Sequence, residues 1–162
     1  MPRFFKYLIA VSAVLAAAST SAQQKLTVLL DWHVNPDHGP LYVALERGYY
    51  KAAGLDVDLI APSDPNDPPR LVAAKKGDIA ISYQPQLHIQ ASKGLPLVRI
   101  GTVVATPLTP LVVLRDGPIK SIADLKGKRS GYSVGGFEEA LLTAMLGKHG
   151  LTLKDVTLVN VN

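Results

Sequence analysis

Five polar or aromatic side chains crowd one short stretch: Trp32, His33, Asn35, Asp37 and His38, with Pro36 stiffening the backbone among them. Tryptophan offers a flat apolar face beside amide and imidazole groups that hydrogen-bond, the combination that holds a small planar polar ligand. The plainer alternative is a surface turn whose tryptophan, the only one in the chain, covers the edge of the core. A second stretch, Ser133-Val134-Gly135-Gly136, runs into a helical pattern. Free backbone N–H groups at a helix start bind oxygens, and paired glycines let a ligand come close, although ordinary turns use the same residues. Glu138 and Glu139 fall in that helix's first turn, where they favour its dipole and read as structural. The His, Asp and Glu residues show no metal-site spacing, and there is no nucleophile elbow, phosphate loop or spaced acid pair. The expectation is a binding site without catalytic residues, metal or cofactor.

These residues need elements to hold them. An apolar run at residues 26–30 reads as a buried strand that empties at Asp31. Ligands of open α/β sheets sit outside the carboxyl ends of strands, where this loop falls. Residues 41–46 have a helical pattern interrupted by Gly48, residues 49–53 add a turn, and Gly54 makes a good stop. Residues 55–60 alternate Leu55, Val57 and Leu59 against Asp56 and Asp58, a half-buried strand. A proline-rich loop follows, with Asp67 as expected cap and Pro68 as first helical residue of a helix reaching Lys76 and ended by Gly77. Residues 78–82 read as a short strand, and Tyr83-Gln84 leads to a helix from Pro85 that Gly94 ends. Two apolar segments, 96–104 and 110–114, read as further strands. After the turn at Asp116-Gly117-Pro118, Ser121 caps a short helix and a strand follows. Residues 137–149 form an amphipathic helix with Phe137, Leu141, Ala144 and Met145 on its apolar face, and a last strand spans 156–161. This alternation predicts an α/β fold with mainly parallel sheets and helices on both faces.

Composition sets the compartment. Arg3 and Lys6 precede an apolar run at residues 7–18 and a small-residue stretch ending at Ala22, the pattern of a secretory signal cleaved after Ala22. The run is shorter than the roughly 20 apolar residues of a membrane-spanning helix. The chain has no cysteine, hence no disulfide, thiolate metal site or lipidated cleavage-site cysteine, and a periplasmic location fits. Basic residues number 17 against 13 acidic, with two of the former in the leader, too even a balance to expect nucleic acid.

Residues 45–57, LERGYYKAAGLDV, followed by 71–80, LVAAKKGDIA, resemble the signature of periplasmic substrate-binding proteins of ABC importers. LDWHVNPDHGPLYVA and ISYQPQL are similar to the branch that contains the binders of thiamine pyrimidine precursors and the yeast-type pyrimidine synthases. Riboflavin-binding relatives lie nearby. The resemblance implies a type II periplasmic binding fold of two α/β lobes with ligand between them. It assigns residues 23–106 to lobe one, 107–116 to the crossover and 117–162 to the first part of an incomplete lobe two, with the full-length form a monomer. Partners implied are a small pyrimidine ligand and a membrane permease, and the rival cargo is riboflavin or another flat heterocycle. Trp32, Asn35, His38, Tyr83 and Gln84 become the ligand contacts of lobe one, and Gly135 and Gly136 those of lobe two. The synthases of this branch use a lysine and a histidine that fall near Ser82 and Gln86, so the resemblance favours a binder over an enzyme.

Overall fold

The computed structural model describes residues 22–106, 108–132 and 137–161. The expected leader, apart from Ala22, and the glycines Gly135 and Gly136 lie outside the described residues. Among the described residues, no helix is long and apolar enough to cross a membrane.

Two parallel sheets organise the chain. The first has the order β2-β1-β3, with β1 at Gln24–Leu29, β2 at Leu55–Ile60 and β3 at Ile79–Ala80. Gln24 lies opposite Leu55, Leu29 opposite Ile60, and Val28 opposite Ile79. The central strand is the apolar one: Val28, Leu29 and Leu30 are buried. In β2 the aspartates face out and Val57 faces in, as the alternation predicts.

Helices α1 (Gly39–Glu46) and α2 (Tyr49–Ala52) connect β1 to β2, and α3 (Asp67–Ala73) connects β2 to β3. The chain therefore steps to one side of β1 and then crosses to the other. Because such crossovers are right-handed, their helices cover opposite faces of the sheet. A topological switch falls between β1 and β3, and the loops leaving their carboxyl ends open onto one crevice. Helix α4 (Gln84–Ser92) starts at its edge.

The second sheet pairs β4 (Arg129–Tyr132) with β5 (Thr157–Asn160) in parallel, bridged by α5 (Glu138–Gly147). Leu142 and Leu146 of α5 are buried with Leu125, Leu151 and Val156. The inward face is thus one residue round from the expected one. Ala144 is exposed, and Leu141 and Met145 are half-buried beside a smaller hollow of about 240 Å³.

Three local expectations are corrected. Asp67 is the first helical residue of α3 rather than its cap; Asn66 precedes it, tied by its backbone N–H to the Asp64 carboxylate at 2.8 Å. The same helix stops early, because Lys75 adopts the left-handed conformation (φ 59°) and Lys76 N–H returns to the Leu71 carbonyl at 2.8 Å. The expected strands at 96–104 and 110–114 do not form. Their β-branched composition suits a pleated surface, but a strand also needs a neighbour's backbone, and among the described residues none pairs with them. Val98 and Val112 are 85% and 87% exposed.

Candidate functional site

The crevice between the carboxyl ends of β1 and β3 is the polar end of a cleft of about 750 Å³. Asp31, Asp37, His38, Tyr83 and Gln84 line it, with Leu41, Leu97 and Phe137 among its apolar walls.

Asp31 leaves the end of β1, and the chain turns back on it through a short 3-10 turn, Pro36–His38, that feeds directly into α1. His38 is only 2% exposed. Its Nε2 lies 2.7 Å from Asp31 Oδ1, and its Nδ1 accepts the backbone N–H of Asn35 at 3.2 Å. A backbone N–H can only donate, so Nδ1 carries no proton and Nε2–H donates to the carboxylate. Both ring nitrogens are thereby used within the protein.

Asn35 is spent on the same turn. Its Oδ1 accepts Asp37 N–H at 2.9 Å, and its Nδ2 donates to the His33 carbonyl at 3.1 Å. Such Asx geometry is why Asn-Pro starts tight turns. Trp32 stands edge-on to His33 with ring centroids 5.7 Å apart. Among the described residues lining the cleft, neither Trp32 nor Asn35 appears.

Tyr83 comes from the loop after β3 and is half-buried. It shares the cleft with the Asp31 carboxylate. Burial first, then the neighbouring Asp31 carboxylate and the negative charges of Glu138 and Asp37, hold its phenol un-ionised well above the ordinary tyrosine range. Phe137, itself 2% exposed, lies against the Tyr83 ring at 5.0 Å and 34° tilt. The residue preceding α5 thus closes one side of a ring expected to stack on ligand.

Of the residues expected from the sequence, the structure brings His38, Tyr83 and Gln84 to one cleft. Asp31 and Phe137 complete it, and neither was expected there. Asp31 could have been found, since it is the first polar residue after a buried strand. Phe137 could not, because its contact with Tyr83 spans 54 positions of sequence and joins two sheets' elements.

The profile of the NMT1/THI5-like family matches residues 35–162. The chain belongs to that family. As a family member it is 48% identical, over its whole length and 52% of the relative's, to a Haemophilus influenzae protein named for thiamine biosynthesis. It is 38% identical to the formylaminopyrimidine-binding protein of Halalkalibacterium halodurans, over 90% of this chain and 44% of that one. It is also 36% identical to the 4-amino-5-hydroxymethyl-2-methylpyrimidine phosphate synthase of Aspergillus parasiticus, over 83% of this chain and 40% of that one. The chain therefore spans about half, or less, of the length of these relatives.

Among solved structures, it is similar to the alkanesulfonate-binding protein of Xanthomonas axonopodis bound to MOPS, with TM-score 0.59 and 19% identity over 90% of this chain and 49% of that one. The periplasmic aliphatic sulphonate binding protein of Escherichia coli gives 0.55 and 22% over 85% and 44%. The fold of this family member is that of type II periplasmic binding proteins.

Ser82 Oγ donates to Gln86 Oε1 at 2.6 Å, and Gln86 Nε2 donates to the Pro65 carbonyl at 3.3 Å. Gln86 is buried. This pair staples the loop after β3 to the loop after β2.

Proposed function

We propose that this chain carries the ligand cleft of a periplasmic solute-binding component of an ABC importer, and that its cargo is a thiamine pyrimidine precursor. Hydroxymethyl-, aminomethyl- and formylaminomethyl-pyrimidines are the candidates. The observation that carries the reading is the charge of the cleft's polar end. Asp31, Asp37 and Asp78 line the cleft against one arginine, Arg99, among its described lining residues, a negative balance that disfavours a sulfonate and suits a neutral or basic aminopyrimidine. The name of the formylaminopyrimidine-binding relative supports the same cargo. Tyr83 supplies an aromatic wall and Gln84 an amide at the rim. Trp32, Asn35 and His38 hold the loop that carries Asp31, and Gly135 and Gly136 are the ligand contacts we assign to lobe two. Export to the periplasm and delivery to a membrane permease complete the proposal.

Calorimetry and thermal melts with the three pyrimidines, riboflavin and an alkanesulfonate test it. A pyrimidine at 100 times its dissociation constant should stabilise the protein by about 2.7 kcal/mol, and Tyr83→Ala should weaken binding. Preference for the sulfonate or for riboflavin would overturn the cargo assignment.

The names of the fungal relatives favour a second reading, a pyrimidine-forming enzyme. That chemistry, if it runs through a Schiff base, needs a lysine amine, and there is no lysine between Gly77 and Lys93. A reducible pyridoxal phosphate adduct mapped to the lobe-one cleft would establish the enzyme reading over the binder.

A further inference from the structure

We propose that Tyr83 and Phe137 are the two jaws of an aromatic clamp, shut on each other here, which parts to take a flat heterocycle between its rings. Phe137 thereby becomes a ligand contact from the second sheet's side of the cleft. The inference rests on the reading of this cleft as a site for a flat heterocycle.

Each ring is carried by the residue that starts a helix. Tyr83 precedes α4, and its carbonyl accepts the Leu87 N–H at 3.0 Å; Phe137 precedes α5, and its carbonyl accepts the Leu141 N–H at 3.1 Å. A side chain so placed is held by its helix and not by a free loop. Helix α4 follows the first sheet in the chain and α5 bridges the strands of the second, so the two rings are carried by different units. They line the same cleft, and among its described lining residues no other Phe, Tyr or Trp occurs. They meet with centroids 5.0 Å apart and planes 34° from parallel.

A flat heterocycle has two apolar faces to take out of water, and Tyr83 can cover only one of them. The other falls to Phe137. Carbon atoms in contact sit about 3.5 Å apart, so a ring held between two others needs roughly 7 Å between the outer centroids. At 5.0 Å the clamp is shut, and it must part by about 2 Å. The chain between the units offers little resistance: among the described residues no hydrogen bond holds the backbone N–H groups from Val98 to Val104 or from Leu111 to Leu114. Phe137 is 2% exposed, so parting without a ligand would uncover its ring to water. An inserted heterocycle restores that cover, and a slot of one ring's thickness selects planar ligands over tetrahedral ones.

The test combines NOE spectroscopy of protein with ¹³C-labelled Phe and Tyr rings and calorimetry with the three pyrimidines, riboflavin and an alkanesulfonate. Without ligand, the Tyr83 and Phe137 ring protons should show NOEs to each other. With a pyrimidine bound, that cross-peak should collapse, and ligand protons should show NOEs to both rings. Phe137→Leu keeps apolar bulk without a ring, and it should weaken pyrimidine binding about 2- to 12-fold, the worth of an aromatic pair beyond its area. Tyr83→Leu should do the same.

A pyrimidine that binds with NOEs to Tyr83 alone and is indifferent to Phe137→Leu would overturn the clamp and leave the cargo standing. Riboflavin held between both rings, with no pyrimidine bound, would overturn the cargo and uphold the clamp. Tighter binding by Phe137→Leu, or a ring–ring cross-peak that persists with ligand bound, would also sink the clamp, because Phe137 would then merely cover Tyr83. Binding of no flat compound would refute both readings. Should Phe137→Leu not melt cooperatively, the wild-type NOEs decide.

Discussion

Lys75 and Gly77, two residues apart, divide the work that the sequence pattern assigns to Gly77 alone. A glycine after an apolar helical stretch reads as a helix stop, but the left-handed residue is Lys75. For a residue with a Cβ that conformation costs roughly 1–2 kcal/mol, so Lys75→Gly should stabilise the protein by up to about 1 kcal/mol, allowing for glycine's greater entropy loss. Gly77 is small for another reason. A Cβ there would sit 2.8 Å from Leu29 Cδ1 and 3.0 Å from Leu29 Cγ, and Leu29 is buried in the central strand. Gly77→Ala should therefore destabilise by about 1–3 kcal/mol, the range for an overpacked core. Chemical denaturation of the two variants should show midpoints moving in opposite directions. The glycine was legible in the sequence. Its reason was not, because a close approach across a sheet leaves no trace in local pattern.

At the scale of elements, the best-read features are those whose causes are local. The strand at Leu55–Ile60 and the breaks at Gly48 and Gly54, with φ of 70° and 76°, sit where alternation and glycine place them. The 3-10 turns after Ser121 and Thr152 carry matching capping boxes, Ser121 with Asp124 and Thr152 with Asp155. Asp124 is held below the ordinary carboxylate range by the N–H of Lys120 first, then by the hydroxyl and N–H of Ser121. Asp155 is held down likewise by the N–H and then the hydroxyl of Thr152. A carboxylate whose folded pKa is depressed contributes stability that is present above its unfolded value and lost as pH falls through the folded one. Acid titrations of stability should therefore find wild type above Asp124→Asn and Asp155→Asn near neutrality, with the curves converging below the ordinary aspartate range. A constant gap down to the lowest pH would show that the caps act through shape and not charge. The register of α5 was less legible: Leu142 and Leu146 win the core over Leu141 and Met145 because Leu125, Leu151 and Val156 lie on that side. That choice depends on elements distant in sequence.

Across the whole molecule, the position of the cleft follows from strand order. The β2-β1-β3 arrangement places the carboxyl ends of β1 and β3 side by side, so Asp31 and Tyr83 meet although 52 positions separate them. The alternation of strands and helices announces such a crevice somewhere, and the polar residues after the first strand locate it. The fine assignment is harder, because Asn35 and His38 have the right chemistry for a ligand and spend it on their own turn. The same long-range dependence explains residues 96–104 and 110–114, whose apolar, β-branched sequence promised strands. Among the described residues no hydrogen bond holds the backbone N–H groups from Val98 to Val104 or from Leu111 to Leu114, whereas β1 is laddered on both edges. Their protection should differ accordingly. In deuterated buffer the amides of Val98, Ile100, Val103, Val112 and Val113 should exchange at rates near those of an unstructured peptide, and those of Val28 and Leu29 should outlast them by orders of magnitude. Mass spectrometry of peptic fragments would read this as a sharp step in deuterium uptake after Leu97, inside one of the most apolar parts of the chain, where hydropathy alone would have placed the slowest protons.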